Sequence, residues 1–344
     1  MSVASIKLTV DYEIFGNGSG CISSCILTPA KSIMSIAESY NAPITFFVDC
    51  SELISLEREK STSHLVSEVK NQLIQAVKSG HDVQLHIHPQ WVGANYKDNR
   101  WVVDVRRWRI GDLSQLDIES QLKEGKDWLE NLIKPSAPAY RCIAFRAGGW
   151  CIQPSQKIIA ALTKTGIHID STVAPGMNNK SQGQWFDFST CVEKPYWHVG
   201  DEVTKEGNSE LIEIPIATGR ISRIRHLRAL YRAKASNNGL AHGCYGSYEI
   251  SGIGRSGLKN SFDKLLKLGN VMLDFSTMPS EVLIEITQNW LKRFPNSRNI
   301  PVIAIAHTKN FTKLSSSSLD EYCRWCDSQG FKFGTYSDDV NRDL

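Results

Sequence analysis

The sequence predicts an α/β fold with a mostly parallel sheet. Strand-like and helix-like segments alternate along most of the chain. The strand-like segments alternate polar and apolar residues or are continuously apolar, whereas the longer segments between them repeat apolar residues at helical spacing. Repeated strand–helix units of this kind are typical of a parallel sheet that helices cover.

Eight segments have strand patterns. SIKLTVDYE (5–13) alternates strictly, and PITFFVDC (43–50) has the pattern of a fully buried strand. HDVQLHIH (81–88) alternates again, and Pro89 stops it. The remaining strand predictions are 139–149, 167–173, 210–217, 301–307 and 331–337.

Six segments between these strands have helix patterns. The segment 63–80 is amphipathic and ends at Gly80, a common residue at the end of a helix. The segment 114–134 begins at Ser114, which is a possible N-cap. The remaining helix predictions are 30–41, 155–166, 280–294 and 318–330.

The alternation breaks between residues 219 and about 264. We predict that this stretch is an insertion on a single domain spanning 1–344, because it is short for a core of its own. It begins with a basic helix pattern over 220–232. That helix is either a solvated face or a site for anionic groups, such as the phosphates of a nucleotide- or lipid-linked sugar or membrane headgroups.

Composition and charge exclude several classes of protein. A net charge of +3 is too small to predict a nucleic-acid partner, and no apolar run approaches the roughly 18 residues of a membrane span. The start of the sequence has no signal-peptide pattern, and the nine cysteines are scattered, so we expect a cytoplasmic protein. Cys323 and Cys326 share one face of a predicted helix, which favours packing over metal binding or redox chemistry.

Chemically active side chains follow four of the predicted strands. Parallel sheets place function at the carboxyl ends of their strands, so these side chains are expected at one rim. They are Asp11, Glu13, His86, His88, Arg146 and His307. A carboxylate with imidazoles and open coordination positions is typical of a catalytic metal site, and an additional carboxylate and histidine are suited to act as general base and general acid.

The same residues lie in motifs that resemble those of the polysaccharide deacetylase family, also called the NodB-homology or carbohydrate esterase family 4 domain. The motifs are TVDYE (9–13), GHDVQLHIHPQ (80–90), FRAGGW (145–150) and IAH (305–307), and the fourth motif of the family has no clear match. The resemblance spans residues 5 to about 175 and 210 to 336. It implies a distorted (β/α)7-type barrel.

The resemblance also implies roles for individual residues. Asp11 is expected to be the general base, held by Arg146, and His307 in its protonated form the general acid. Glu13 and His86 are expected to bind a divalent metal, with Zn²⁺ the first expectation. For the third ligand, His88 and Gln90 are the alternatives, and the geometry of a strand favours His88. Substrate contacts are expected from Trp150, Gln90, Trp91 and Asp170.

These roles imply a metal-dependent deacetylase that hydrolyses the N-acetyl group of an amino sugar. The HxHPxW form of the second motif resembles a subgroup associated with O-antigen and other surface-polysaccharide biosynthesis. Two alternatives stay open. The acyl group could be another one, such as formyl, or the substrate a non-sugar amide; or the chain could be a non-catalytic homologue that binds carbohydrate.

Overall fold

The computed structural model describes residues 4–181, 183–222, 270–297 and 299–338. Most of the strands join one large sheet, and the described residues also form three two-stranded sheets outside it. In chain order the strands are β1 (Ala4–Tyr12), β2 (Ile44–Asp49), β3 (Asp82–Ile87), β4 (Asn95–Lys97), β5 (Arg100–Val102), β6 (Ala144–Ala147), β7 (Ile169–Asp170), β8 (Asn178–Lys180), β9 (Trp185–Asp187), β10 (Trp197–His198), β11 (Ile212–Glu213), β12 (Thr218–Gly219), β13 (Val271–Met272), β14 (Ile300–His307) and β15 (Lys332–Phe333).

Helices connect and cover these strands. In chain order they are α1 (Thr28–Glu38), α2 (Cys50–Arg58), α3 (Lys60–Lys78), α4 (Gln115–Ile133), α5 (Gln156–Lys164), α6 (Ser280–Arg293) and α7 (Lys313–Ser328). A one-turn π-helix, Ser23–Leu27, precedes α1. Ser114 caps α4 as the sequence predicts, because its Oγ accepts a hydrogen bond from the backbone N–H of Asp117 at 3.1 Å.

The large sheet curls into a distorted barrel. Its strand order is β10-β11-β7-β6-β3-β2-β1-β14, and only the β10–β11 pair in this series is antiparallel. Ile216, just beyond β11, forms a parallel bridge to Ile303 in β14, which joins the first and last of the parallel strands. Seven parallel strands therefore surround the core, which confirms the predicted α/β barrel.

The core explains why these segments fold as they do. All six residues of β2 are buried, as its apolar run predicts. Helix α4 packs closely on β3 at Gly125, where a Cβ atom would lie only 2.7 Å from Leu85 Cδ1. All buried apolar residues of the described chain except Cys151 belong to one contiguous cluster, so they form a single core.

Several elements differ from the sequence predictions. The sequence predictions did not include helix α2. Asp49 both ends β2 and caps α2, so no glycine or proline separates the two elements. The β4–β5 and β8–β9 hairpins also have no counterpart in the predictions, since each of their strands has only three residues. The insertion predicted at about 219–264 lies outside the described residues apart from 219–222, and so does most of the predicted Arg-rich helix over 220–232.

The CxxC pair packs in the core. Cys323 and Cys326 lie in α7, and both are fully buried. Burial raises the pKa of the Cys326 thiol to about 12, so it stays protonated and poorly nucleophilic. The predicted packing role is confirmed.

No helix in the ranges that the structure describes is both long enough and apolar enough to cross a membrane.

Candidate active site

Strand register brings the predicted residues together at the carboxyl ends of the barrel strands. Asp11 of β1 pairs with His307 of β14 across the parallel ladder. His86 of β3 pairs with Arg146 of β6 on one side and with Asp49 of β2 on the other. Neighbouring positions of a parallel ladder point the same way, so these side chains converge inside one rim.

Glu13, His86 and His88 form a compact group that could hold a metal ion. Glu13 Oε2 lies 2.8 Å from His88 Nε2 and 3.6 Å from His86 Nε2, and all three side chains are almost fully buried. His86 Nε2 nevertheless has no hydrogen-bond partner, and Glu13 Oε2 faces only the two imidazoles. Buried polar atoms without partners are costly unless something binds them, and one carboxylate with two imidazoles suits Zn²⁺. The residues therefore fit the metal that the resemblance implies.

The Nδ1 atoms of His86 and His88 each contact a polar group. His86 Nδ1–H donates to the backbone carbonyl of Arg146 at 2.7 Å, which leaves Nε2 free for a metal. His88 Nδ1 lies 2.9 Å from the amide nitrogen of Gln90, whose Oε1 has no partner. A metal on His88 Nε2 requires a proton on Nδ1. Gln90 Oε1 would accept that proton if the amide rotated by half a turn, which would give up the 3.3 Å hydrogen bond from Gln90 Nε2 to Gly16 O. Of the two alternatives for the third ligand, His88 therefore lies at the site and Gln90 supports it.

Asp11 lies between two cationic or potentially cationic partners. Its Oδ1 accepts a hydrogen bond from Arg146 Nη1 at 2.7 Å, and its Oδ2 lies 3.4 Å from His307 Nε2. Arg146 is fully buried, and its other N–H groups donate to Ser171 O at 2.8 Å and Thr9 Oγ1 at 3.0 Å. The guanidinium is fixed, so it holds Asp11 in one orientation.

These contacts set the protonation states of the site. Burial would raise the pKa of Asp11, but Arg146 and the nearby histidines outweigh it and hold that pKa below its usual value. The pKa of Glu13 is likewise held well below its usual value, because Lys309 and His88 outweigh burial. Both carboxylates are therefore ionised at neutral pH, as a metal ligand and a general base must be.

The pKa values of His86 and His307 shift in opposite directions. Burial lowers the pKa of His86, but the carboxylates of Asp11 and Glu13 outweigh it and raise that pKa to about 9. For His307, burial dominates and its pKa is lowered despite the nearby Asp11. The resting His307 is therefore neutral at neutral pH, so it must take up a proton before it can act as the general acid that the resemblance implies.

Lys309 is a member of the site that the sequence did not reveal. Its ammonium lies 2.7 Å from Glu13 Oε1 and also donates to the backbone carbonyl of Ile14 at 3.3 Å. Only 13% of its side chain is exposed. Lys309 comes two residues after His307, as Glu13 comes two residues after Asp11, and this shared spacing was the signal available.

Asp49 and Glu52, at the start of α2, are two more buried carboxyl groups behind the site. Asp49 Oδ1 accepts hydrogen bonds from the backbone N–H groups of Glu52 at 3.2 Å and His88 at 3.3 Å. The Glu52 carboxyl group accepts from the backbone N–H of Ile14 at 2.9 and 3.1 Å. Burial raises the pKa of both groups. They hold the chain beside His88 and Glu13, and the Asp at the end of β2 could have been found by the rule applied to the other strands.

Aromatic side chains surround the histidines. Trp150 contacts the edge of His307 at a ring separation of 5.8 Å, and Trp108, which the sequence did not reveal, contacts His88 at the same separation. Both tryptophans are half-buried. The turn after β6 packs closely against the end of β3, because a Cβ atom on Gly148 would lie 2.6 Å from Ile87 O. Trp150 is therefore placed where it could contact a substrate.

Two of the expected substrate contacts lie beneath the surface instead. Trp91 is fully buried and packs against Trp101 at a ring separation of 5.6 Å. Asp170 is also fully buried, where it accepts a hydrogen bond from Thr172 Oγ1 at 2.6 Å and pairs with the carboxyl group of Glu213. Neither side chain is exposed to solvent. The buried Gln90 contacts His88 rather than open space.

Comparisons with known proteins bear on the fold. No protein-family model matches the chain, and no curated protein matches it. Among solved structures, the chain is similar to a protein from Mycobacterium smegmatis assigned as a polysaccharide deacetylase, with 13% sequence identity, a TM-score of 0.51, and coverage of 99% of this chain and 90% of that one.

Two further structures have lower TM-scores, and no argument rests on them. One is a family 4 carbohydrate esterase from Streptomyces lividans, with 8% identity, a TM-score of 0.41, and coverage of 100% of this chain and 98% of that one. The other is a carbohydrate esterase family 4 pseudoenzyme from Bacillus anthracis, with 12% identity, a TM-score of 0.42, and coverage of 98% and 65%. The Mycobacterium smegmatis match shows that the chain has the fold of the polysaccharide deacetylases, as the motifs indicated.

Proposed function

We propose that the chain is a metal-dependent hydrolase that removes the N-acetyl group of an amino sugar. The observation that carries this proposal is that the polar side chains at the rim form two groups. Glu13, His86 and His88 form a group suited to a divalent metal, while Asp11 and His307 lie beside it and are not needed as its ligands. A module that only binds carbohydrate needs no such acid–base pair, so the geometry favours an enzyme over a non-catalytic homologue.

A divalent cation bound by Glu13, His86 and His88 would polarise the acyl oxygen and make a water molecule more acidic. Zn²⁺ is the metal that one carboxylate and two imidazoles favour, although cobalt, nickel and iron accept the same ligands.

The residues of the chain would supply the proton transfers. Asp11, kept ionised by Arg146, would accept a proton from the attacking water as its oxygen bonds to the acyl carbon. Asp11 Oδ2 lies 3.4 Å from His307 Nε2, close enough to pass that proton to the neutral imidazole. His307 would then protonate the leaving nitrogen as the C–N bond breaks, which releases acetate and a free amine.

The identity of the substrate and the cellular location are also proposals. We infer an acylated amino sugar of a surface polysaccharide or O-antigen, in a nucleotide- or lipid-linked form, because the resemblance and the Arg-rich segment over 220–232 favour an anionic carrier. We also infer a cytoplasmic place of action, because the nine cysteines of the sequence are odd in number and scattered rather than spaced for disulfides.

Acetate release from N-acetylated amino sugars, measured together with zinc content, tests this function. We expect one zinc ion per chain and acetate production that thorough chelation abolishes. His307→Ala should keep the zinc and lose roughly 10²–10⁴-fold in turnover of the amide, which is the usual contribution of a general acid.

The matched control is Asp327→Asn, because Asp327 is exposed at the end of α7, and this variant should behave as wild type. Zinc binding without release of acetate would point to the non-catalytic homologue. Release of formate alone would show that the enzyme removes a formyl group rather than an acetyl group. Normal amide turnover by His307→Ala would remove that residue from the mechanism.

A further inference from the structure

The two oxygens of Glu13 have different partners. Oε2 faces His86 and His88, as described above. Oε1 lies 2.7 Å from Lys309 Nζ and 4.0 Å from His307 Nε2. The side chain of Glu13 is only 2% exposed, so bulk water has little access to either oxygen. Glu13 is thus a carboxylate with one oxygen toward the metal group and the other held by a lysine.

The oxygen that Lys309 holds belongs to a second group of possible ligands. Asp11, Glu13 and His307 also have ligand atoms close enough together to hold an ion. Both groups share Glu13, and a carboxylate can bridge two metal ions or chelate one ion with both oxygens. Either arrangement would need Oε1. If Asp11 and His307 became ligands, neither could accept or donate the protons of the proposed reaction.

We propose that Lys309 is a positioning residue that acts as a fixed cation on Glu13 Oε1. It limits Glu13 to one coordinating oxygen and keeps a second metal ion away from Asp11 and His307. This inference rests on the proposed function, since it assumes that Glu13, His86 and His88 bind a metal. The ammonium is held by Glu13 and by the carbonyl of Ile14, so its position does not depend on a bound metal.

Two physical effects give the direction of the expected change. A positive charge beside the metal group repels a divalent cation, and the repulsion is strong where water has little access. The lysine also removes one of the two oxygens with which Glu13 could bind. Without the charge, the site should therefore bind metal more tightly and bind more of it.

Zinc affinity and zinc stoichiometry of Lys309→Met test this inference. Met removes the charge and keeps an unbranched side chain of similar length. We expect wild type to hold one zinc ion per chain after dialysis against buffered zinc. Lys309→Met should bind zinc at least about tenfold more tightly in competition with a chromophoric chelator, or hold a second ion.

Three further variants complete the experiment. Lys309→Arg keeps the charge and should bind zinc as wild type does. Lys313→Met removes an exposed lysine at the start of α7 and should also leave zinc binding unchanged. Lys309→Gln is a second neutral variant, and it gives the same answer if the Met variant does not fold.

Zinc binding by the neutral variants that is unchanged or weaker, with one ion per chain, would overturn this inference alone, because Lys309 would then only support the structure. Failure of wild type to bind zinc would overturn the proposed function as well. The two failures are therefore distinguishable without any measurement of activity.

Discussion

At the scale of single residues, the site separates two carboxylates that lie only two positions apart. Asp11 and Glu13 are both buried and both ionised, but their partners differ. Asp11 is held by an arginine, which leaves its second oxygen beside His307. Glu13 is held by a lysine, which leaves its second oxygen beside two histidines. The environment, rather than the residue type, thus assigns one carboxylate to proton transfer and the other to metal binding.

The raised pKa of His86 predicts how metal binding depends on pH. In the metal-free protein this pKa is about 9, so the imidazole carries a proton at neutral pH that a metal must displace. The apparent zinc affinity should therefore rise by about tenfold per pH unit from pH 6.5 toward 9 and then level off. Zinc titrations with a competing chelator at a series of pH values measure this slope. A flat profile between pH 6.5 and 8.5 would show that His86 does not exchange a proton for the metal.

At the scale of secondary-structure elements, the start of α2 connects the two loops that carry metal ligands. Asp49 caps α2 and also accepts the backbone N–H of His88, while Glu52 in the first turn accepts the backbone N–H of Ile14, next to Glu13. A helix cap normally stabilises only its own helix. This cap also fixes the backbone on both sides of the candidate metal group.

Asp49→Ala should therefore lower both stability and metal affinity. Loss of the cap should reduce the free energy of unfolding by about 0.5–2 kcal/mol, and release of His88 should weaken zinc binding by roughly 10–100-fold, as loss of an outer-shell contact does. Denaturant unfolding and zinc competition measure the two effects.

The matched control is Ser114→Ala. Ser114 caps α4 by accepting a hydrogen bond from the backbone N–H of Asp117, and α4 carries none of the candidate metal ligands. It should lose similar stability and bind zinc as wild type does. Equal zinc affinity in Asp49→Ala and Ser114→Ala would contradict the role of α2 in the site.

At the scale of the whole molecule, closure of the barrel brings the residues of the candidate site together at one rim. The seven parallel strands and the directions of their ends follow from sequence patterns, which is why Asp11, His86, Arg146 and His307 were predictable. Each of them ends a strand with a clear pattern, and strand ends of a parallel sheet meet at one rim.

The rest of the site depends on contacts that local patterns do not encode. Lys309 reaches Glu13 across 296 positions of the chain, and Trp108 reaches His88 from an irregular segment. Trp91 and Asp170 were expected to contact a substrate, but both side chains are fully buried. Such positions depend on how the loops pack over the barrel rather than on the strand pattern.

The central claim is that a metal ion binds between Glu13, His86 and His88. Anomalous scattering at the zinc edge, from crystals grown with zinc, tests it most directly. We predict one strong peak at roughly 2.0–2.2 Å from Glu13 Oε2, His86 Nε2 and His88 Nε2, the usual distances for zinc bonded to oxygen and nitrogen. No peak in this position, with zinc present in the crystal, would contradict the account.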